Sequence, residues 1–182
     1  MQYADGKITH ELVARCCQEV LPLVGDAAEV GVYQGDSAEV ICRELRNDKV
    51  WLFDTFEGVP ADMLDACERH FLGAFRDTCF DDVAKRMSAY DNARLMPGVF
   101  PATARGLGRV NLKFVHVDAD IYLSTLAALW WSWPNLVSGG IMLCDDYLCG
   151  SCPGAARAVH QFADLEGIAF ETRAKRAIFF KD

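Results

Sequence analysis

Phe114-Val115-His116-Val117-Asp118-Ala119-Asp120 and Ile141-Met142-Leu143-Cys144-Asp145-Asp146 are two short apolar runs, each ending on a pair of acids. Nearly continuous hydrophobicity is the pattern of strands buried on both faces, as in a parallel sheet. If the two runs are neighbouring parallel strands, all four carboxylates converge at one edge of that sheet. Four acids so placed repel one another unless a positive charge joins them. Carboxylate oxygens suit a hard divalent cation such as Mg, Ca or Mn.

Val30-Gly31-Val32 and Val50-Trp51-Leu52-Phe53 read as further strands of the same kind. Between the strands lie stretches with helical spacing: His10 to Val24, Ser37 to Leu45, Ser124 to Trp133 before Pro134, and Ala155 to Leu165 after Gly154. Such alternation predicts an α/β fold, doubly wound, with helices on both faces of a parallel sheet. Phe170 to Arg173 and Ala177 to Phe180 flank a short polar turn and predict a closing antiparallel hairpin. Residues 60–90, rich in charge and aromatics, read as helix with loops: a lid or insertion beside the acidic edge, or an ordinary surface helix pair.

Length, 182 residues, suits one domain spanning 1–182 with a helical segment over 1–28. The formal charge of −8 argues against nucleic acid and anionic membrane as partners. No apolar stretch approaches the roughly 20 residues a bilayer span needs. The first residues lack the basic-then-apolar pattern of a signal peptide, so a cytoplasmic location is expected. With that location, the 8 cysteines are expected to be reduced, most of them small core residues. Cys149-Gly150-Ser151-Cys152 is a C-x-x-C that zinc could use, but no second pair matches it in the sequence.

Glu29-Val30-Gly31-Val32-Tyr33-Gln34-Gly35-Asp36-Ser37 closes the first strand and opens a helix. Gly31 and Gly35 allow a tight turn and close approach of the backbone to a ligand. Asp54 ends the next strand, where an acid can accept both hydroxyls of a ribose. The spacing is G-x-x-x-G with an acid two residues earlier, not G-x-G-x-x-G. A dinucleotide pyrophosphate would be repelled by these acids, whereas a cationic sulfonium tolerates them. S-adenosylmethionine is thus favoured over NAD. An NAD-linked oxidoreductase and a non-catalytic binding module of the same fold are the rival readings.

These residues, with Asp54-Thr55-Phe56-Glu57-Gly58, Gly98-Val99-Phe100-Pro101, Asp118-Ala119-Asp120-Ile121-Tyr122 and Asp145-Asp146-Tyr147 in order, resemble the macrocin O-methyltransferase (TylF-like) family. The resemblance runs from about Glu29 to Phe162. It implies a Rossmann-like seven-stranded sheet, mostly parallel with an antiparallel C-terminal strand. It also implies S-adenosylmethionine, Mg²⁺ and a hydroxyl on a small sugar-like or natural-product acceptor. Carried over residue by residue, Asp118, Asp145 and Asp146 are metal ligands and Asp120 the general base. Glu29, Gly31, Tyr33, Gly35, Ser37 and Asp54 fall on the cofactor loop and ribose acid, with Thr55 and Phe56 near the adenosine. Relatives use a longer N-terminal region to cover the acceptor pocket and form an oligomer, so acceptor class and homo-oligomeric state stay open.

Plain structural roles compete with several of these. A single acid after a strand can cap a helix, and Asp146 can pair with an arginine such as Arg157. His116, alternating with Val115 and Val117, reads as a core histidine. Trp130, Trp131 and Trp133 follow helix spacing and read mostly as core. Tyr122 and Tyr147 flank the acids and either shape the site or simply pack.

Overall fold

The computed structural model describes residues 2–182, with side chains from Ile8 onward. Seven strands form one sheet: β1 (Asp26–Val30), β2 (Val50–Asp54), β3 (Ala93–Pro97), β4 (Leu112–Val117), β5 (Leu136–Cys144), β6 (Glu171–Arg173) and β7 (Arg176–Phe180), in the order β3-β2-β1-β4-β5-β7-β6. The pairs from β3 to β5 are parallel, and β7 runs antiparallel to both β5 and β6. Five helices pack on it: α1 (Gln2–Glu19), α2 (Asp36–Glu44), α3 (Phe80–Met87), α4 (Tyr122–Ser132) and α5 (Pro153–Glu166). Among the described residues no helix is long and apolar enough to cross a membrane.

The double winding follows from which side chains each strand sends to which face. Leu52, Phe114, Ile141 and Leu143 join residues of α1 and α2 in one cluster. Phe53, Val115, Val117 and Met142 join α4 and α5 in the other. Because both faces are covered, all six residues of β4 are buried; four are apolar, and the other two, Lys113 and His116, meet Asp48 and Glu29. A third, smaller cluster joins Phe71 to Ile121, Cys152 and Ala155, with Val59 and Phe75 packed on it. It fixes the segment around residues 59–75 over the ends of β4 and β5.

Several element boundaries differ from expectation, among them the start of β5, at Leu136 rather than Ile141. The first strand ends at Val30, because Gly31 takes φ 92 and leaves the β region. The first helix ends at Glu19, short of Pro22, whose missing N–H cannot continue a helix. β3 sits at the sheet edge with its side chains no more than half-buried, so it carries no apolar run to read. The hairpin is as expected, and Ala174 (φ 47) and Lys175 (φ 70) give its two-residue turn the left-handed backbone that matches strand twist.

Candidate active site

Strand order reverses at the β1/β4 boundary, the place where open α/β sheets form a crevice beyond their carboxyl ends. Each strand pairing there is extended one residue further. Gly31 N donates to Phe53 O (2.9 Å), Asp118 N to Val30 O (2.9 Å) and Asp145 N to Val117 O (2.9 Å). The residues just past β1, β4 and β5 are thereby locked side by side.

Gly31 has a stronger reason to be glycine than approach to a ligand. A Cβ there would lie 1.7 Å from the Asp118 carbonyl oxygen and 2.6 Å from its carbon. The turn after β1 rests directly on the backbone of the first acid, so the glycine positions Asp118 as well as the loop.

Asp54 ends β2 and lines the cleft with Gly31, Tyr33, Thr55, Asp118 and Asp120. Its Oδ2 accepts Val32 N (2.7 Å) and Tyr33 N (2.8 Å), and its Oδ1 accepts Phe56 N (2.7 Å). The carboxylate thus ties the glycine loop to the turn after β2. Tyr33 and Phe56 take left-handed φ of 50 and 55 to make these bonds. Such charge-assisted bonds offset the modest strain of two non-glycine residues in that region. The Asp77 carboxylate accepts the Tyr33 hydroxyl at 2.6 Å, which raises that phenol to about 12.

Four of the expected cofactor residues do not line the cleft. Glu29 is fully buried and its Oε1 lies 2.8 Å from His116 Nδ1, also fully buried. The β1–β4 register places these two residues as direct partners, so they meet inside the core. Burial acts to discharge His116, but Glu29 beside it, with Asp145 and Asp146 beyond, holds it above its ordinary value. Phe56 lies in the core against Phe80. Ser37 is buried in the first turn of α2. Gly35, at φ 90, precedes α2 and supports the loop from behind rather than lining the cleft.

The acids do converge. Single oxygens of Asp118, Asp145 and Asp146 lie within 4.8 Å of one another. Asp120, at φ 57, turns back so that its N–H donates to Asp146 Oδ2 at 3.2 Å. Arg176, on β7, donates to Asp145 Oδ1 at 2.8 Å. The same guanidinium reaches Ala174 O and the Thr9 hydroxyl. Arg157, the arginine expected near Asp146, instead pairs with Asp65 and lies over the Tyr122 ring. Tyr122 and Tyr147 bond outward, to Gln161 and His160.

Burial, then Asp145 and Asp146, push the Asp118 carboxyl well above its ordinary value. Burial, then Asp146, raise Asp120 as well, although the Cys152 thiol opposes this. Burial, then Asp145, raise Asp146 to about 6. These oxygens fit a hard divalent ion, since crowding of acids is what such an ion relieves. The sign of the pH dependence follows. An acid whose carboxyl is raised on folding binds more protons folded than unfolded, so stability falls as pH rises from 3.8 through about 6 and beyond. His116, raised above 6.5, acts in the same direction. In chelator, the thermal midpoint is expected to fall across that window. Mg²⁺ is expected to recover the loss at the alkaline side and do little at the acid side. A midpoint that rises with pH in chelator would contradict the crowding.

Only part of residues 60–90 lines the site, whereas Val83 and Met87 of α3 pack into the core. Val59, Pro60, Phe75 and Thr78 line the cleft, and Thr78 donates to Tyr33 O at 2.8 Å. Glu68, 1% exposed, accepts Tyr122 N at 2.6 Å and so caps α4 from outside the helix. Glu68, Asp77 and Arg176 were not legible as site-supporting residues. Each is one charged residue in a charged stretch, with a partner more than forty residues away or, for Arg176, thirty-one.

The macrocin-O-methyltransferase (TylF) family profile matches residues 7–179. The chain is 31% identical to a tetracenomycin 4'-O-methyltransferase of Streptomyces olivaceus that acts on a dimethoxyrhamnosyl compound, covering 85% of this chain and 64% of that one. It is 30% identical to a mycinamicin III 3''-O-methyltransferase of Micromonospora griseorubida, covering 81% and 63%. It thus spans a little under two thirds of the length of these relatives. The O-methyltransferase NovP superimposes with a TM-score of 0.82 at 25% identity, over 95% of this chain and 79% of NovP. The calicheamicin methyltransferase CalS11 gives 0.82 at 18%, a likeness of fold. Profile, sequence and fold agree, and the chain belongs to the macrocin-O-methyltransferase (TylF) family.

Proposed function

We propose that this chain is a Mg²⁺-dependent S-adenosylmethionine O-methyltransferase acting on a hydroxyl of a small sugar-like or natural-product acceptor. The observation that carries the reading is the meeting of Asp145 and Asp146 with Asp118, which lines the cleft together with Gly31, Tyr33 and Asp54. The named activities of the curated relatives, O-methylation of a rhamnosyl compound and of mycinamicin III, support the acceptor class.

Bound in the cleft, the cofactor supplies an electrophilic methyl group. Gly31 and Tyr33 line the cleft and would meet it there, and Phe53, Phe100 and Ile121 would exclude water from it. Asp54 is already engaged by three backbone amides, so its first role is to hold the loop that meets the ribose. Asp118, Asp145 and Asp146 would hold a divalent ion, which would supply Lewis acidity toward a hydroxyl. Asp120 has its carboxyl raised and its side chain in the cleft, which suits it to take the hydroxyl proton as methyl transfer proceeds. The methyl step itself depends on alignment, which the locked strand ends provide.

Incubation with S-adenosylmethionine and a panel of deoxysugar glycosides and nucleotide-linked deoxysugars tests the reading. Methyl ether and S-adenosylhomocysteine are expected together, lost in chelator and restored by Mg²⁺. Binding of NAD in place of S-adenosylhomocysteine would overturn the reading in favour of an oxidoreductase. Tight S-adenosylhomocysteine binding without turnover on any hydroxylated acceptor would leave only a binding module.

A further inference from the structure

Cys149-Gly150-Ser151-Cys152 lacks a second ligand pair in sequence, but the fold supplies one. Two successive turns, Cys149 N to Asp146 O (3.2 Å) and Cys152 N to Cys149 O (3.1 Å), curl the loop after β5 back on itself. Both sulfurs then face the acids. Cys149 Sγ and Cys152 Sγ are 3.3 Å apart, and Cys152 Sγ lies 3.6 Å from Asp120 Oδ1. One donor atom each from Asp146, Cys149 and Cys152 falls within 4.8 Å of the others. Cys152 is 2% exposed, whereas Cys149 is half-buried and open to an incoming ion.

Asp146 therefore belongs to two donor sets at once. With Asp118 and Asp145 it makes an all-oxygen set; with Cys149 and Cys152 it makes a sulfur-rich one. The two differ in the cation they prefer. Oxygen-only sites take Mg, Ca or Mn, and thiolates select softer ions such as zinc. Tetrahedral zinc with bonds of about 2.3 Å to sulfur and 2.0 Å to oxygen needs S···S near 3.8 Å and S···O near 3.5 Å. The observed S···S separation of 3.3 Å lies within about half an ångström of the first value, and the Asp146 oxygen lies within 4.8 Å of both sulfurs, so a small rotation of the half-buried Cys149 closes the site.

We propose that Cys149, Cys152 and Asp146, with Asp120 adjoining, form a second metal site for a thiophilic divalent cation of the zinc type. Binding displaces the two thiol protons to solvent and leaves an open position on the ion. Occupancy commits Asp146 to the sulfur site and crowds Asp120, so it competes with the oxygen site. The effect on turnover rests on the proposed function, whereas the metal site itself does not.

Titration of the reduced full-length chain with Cd²⁺ tests the site through the ultraviolet sulfur-to-cadmium charge-transfer band. The band is expected to saturate at one equivalent and to be displaced by Zn²⁺. Cys149→Ser and Cys152→Ser are each expected to weaken it by about tenfold or more, while Asp118→Asn keeps it. Cys149→Ala removes a half-exposed side chain and keeps the test independent of any folding defect in Cys152→Ser. No band, or a band undiminished in both Cys149 variants, would overturn the proposal; the latter would place the ion on exposed Cys67 or Cys79. A Cd²⁺ band in a chain that neither binds S-adenosylhomocysteine nor methylates supports this site and refutes only the methyltransferase reading.

Discussion

Gly31→Ala is expected to cost on the order of 4 kcal/mol or more of stability and to abolish S-adenosylhomocysteine binding. Two effects add. A φ of 92 is unfavourable for any residue with a Cβ. The larger effect is steric: the new methyl would sit 1.7 Å from a backbone carbonyl, with no side chain there to rotate away. Either the loop after β1 or the start of the β4 loop must move by more than an ångström, a distance set by ordinary contact near 3.4 Å. Moving the first disturbs the amides that Asp54 holds, and moving the second carries Asp118 out of the acid cluster. Denaturant unfolding and calorimetry with S-adenosylhomocysteine measure the two consequences. A variant with wild-type midpoint and affinity would show that the two loops are not packed as described.

Asp145→Asn is the complementary case, aimed at chemistry rather than shape. Asparagine keeps the volume and an oxygen but loses a charge that the proposed hard-cation site needs. Turnover is expected to fall by about a hundredfold or more at saturating Mg²⁺, with S-adenosylhomocysteine affinity within a few-fold of wild type. The cost to folding is expected to be small. The variant weakens the bond from Arg176, but it also relieves the repulsion that raises Asp118 and Asp146. Initial rates across a Mg²⁺ series, with a parallel series in chelator, measure this. Equal activity of the wild type in chelator, or an unimpaired variant, would remove the metal from the reaction.

Much of this was legible in sequence because the features are local. Buried parallel strands announce themselves as apolar runs, and β4 and the buried end of β5 were readable for that reason. The acids at their ends were readable because a strand's last residue fixes where the next side chain emerges. The edge strand β3 was not readable, since a half-exposed strand carries no hydrophobic signature. Glu29 misled for a different reason. Its position beside the glycine loop suggested the cofactor, but strand alternation sends it to the core, where the register meets His116. Gly31 was read as allowing a tight turn and close approach to a ligand, but its backbone contact with a residue 87 positions later cannot be read from its neighbours. The C-x-x-C likewise meets Asp120 only when β5 and the loop after β4 lie side by side.

Arg176 joins three distant parts of the chain: Thr9 of α1, the turn of the C-terminal hairpin and Asp145. Local opening of a hairpin is ordinarily a silent event, seen only as fast amide hydrogen exchange. Here fraying of β7 withdraws the cation that holds one of the acids. Exchange protection in β6 and β7 and the placement of the Asp145 carboxylate are therefore linked. An extension or deletion at the C-terminal end of the chain, far from the cleft in sequence, acts directly on the geometry of the cleft mouth.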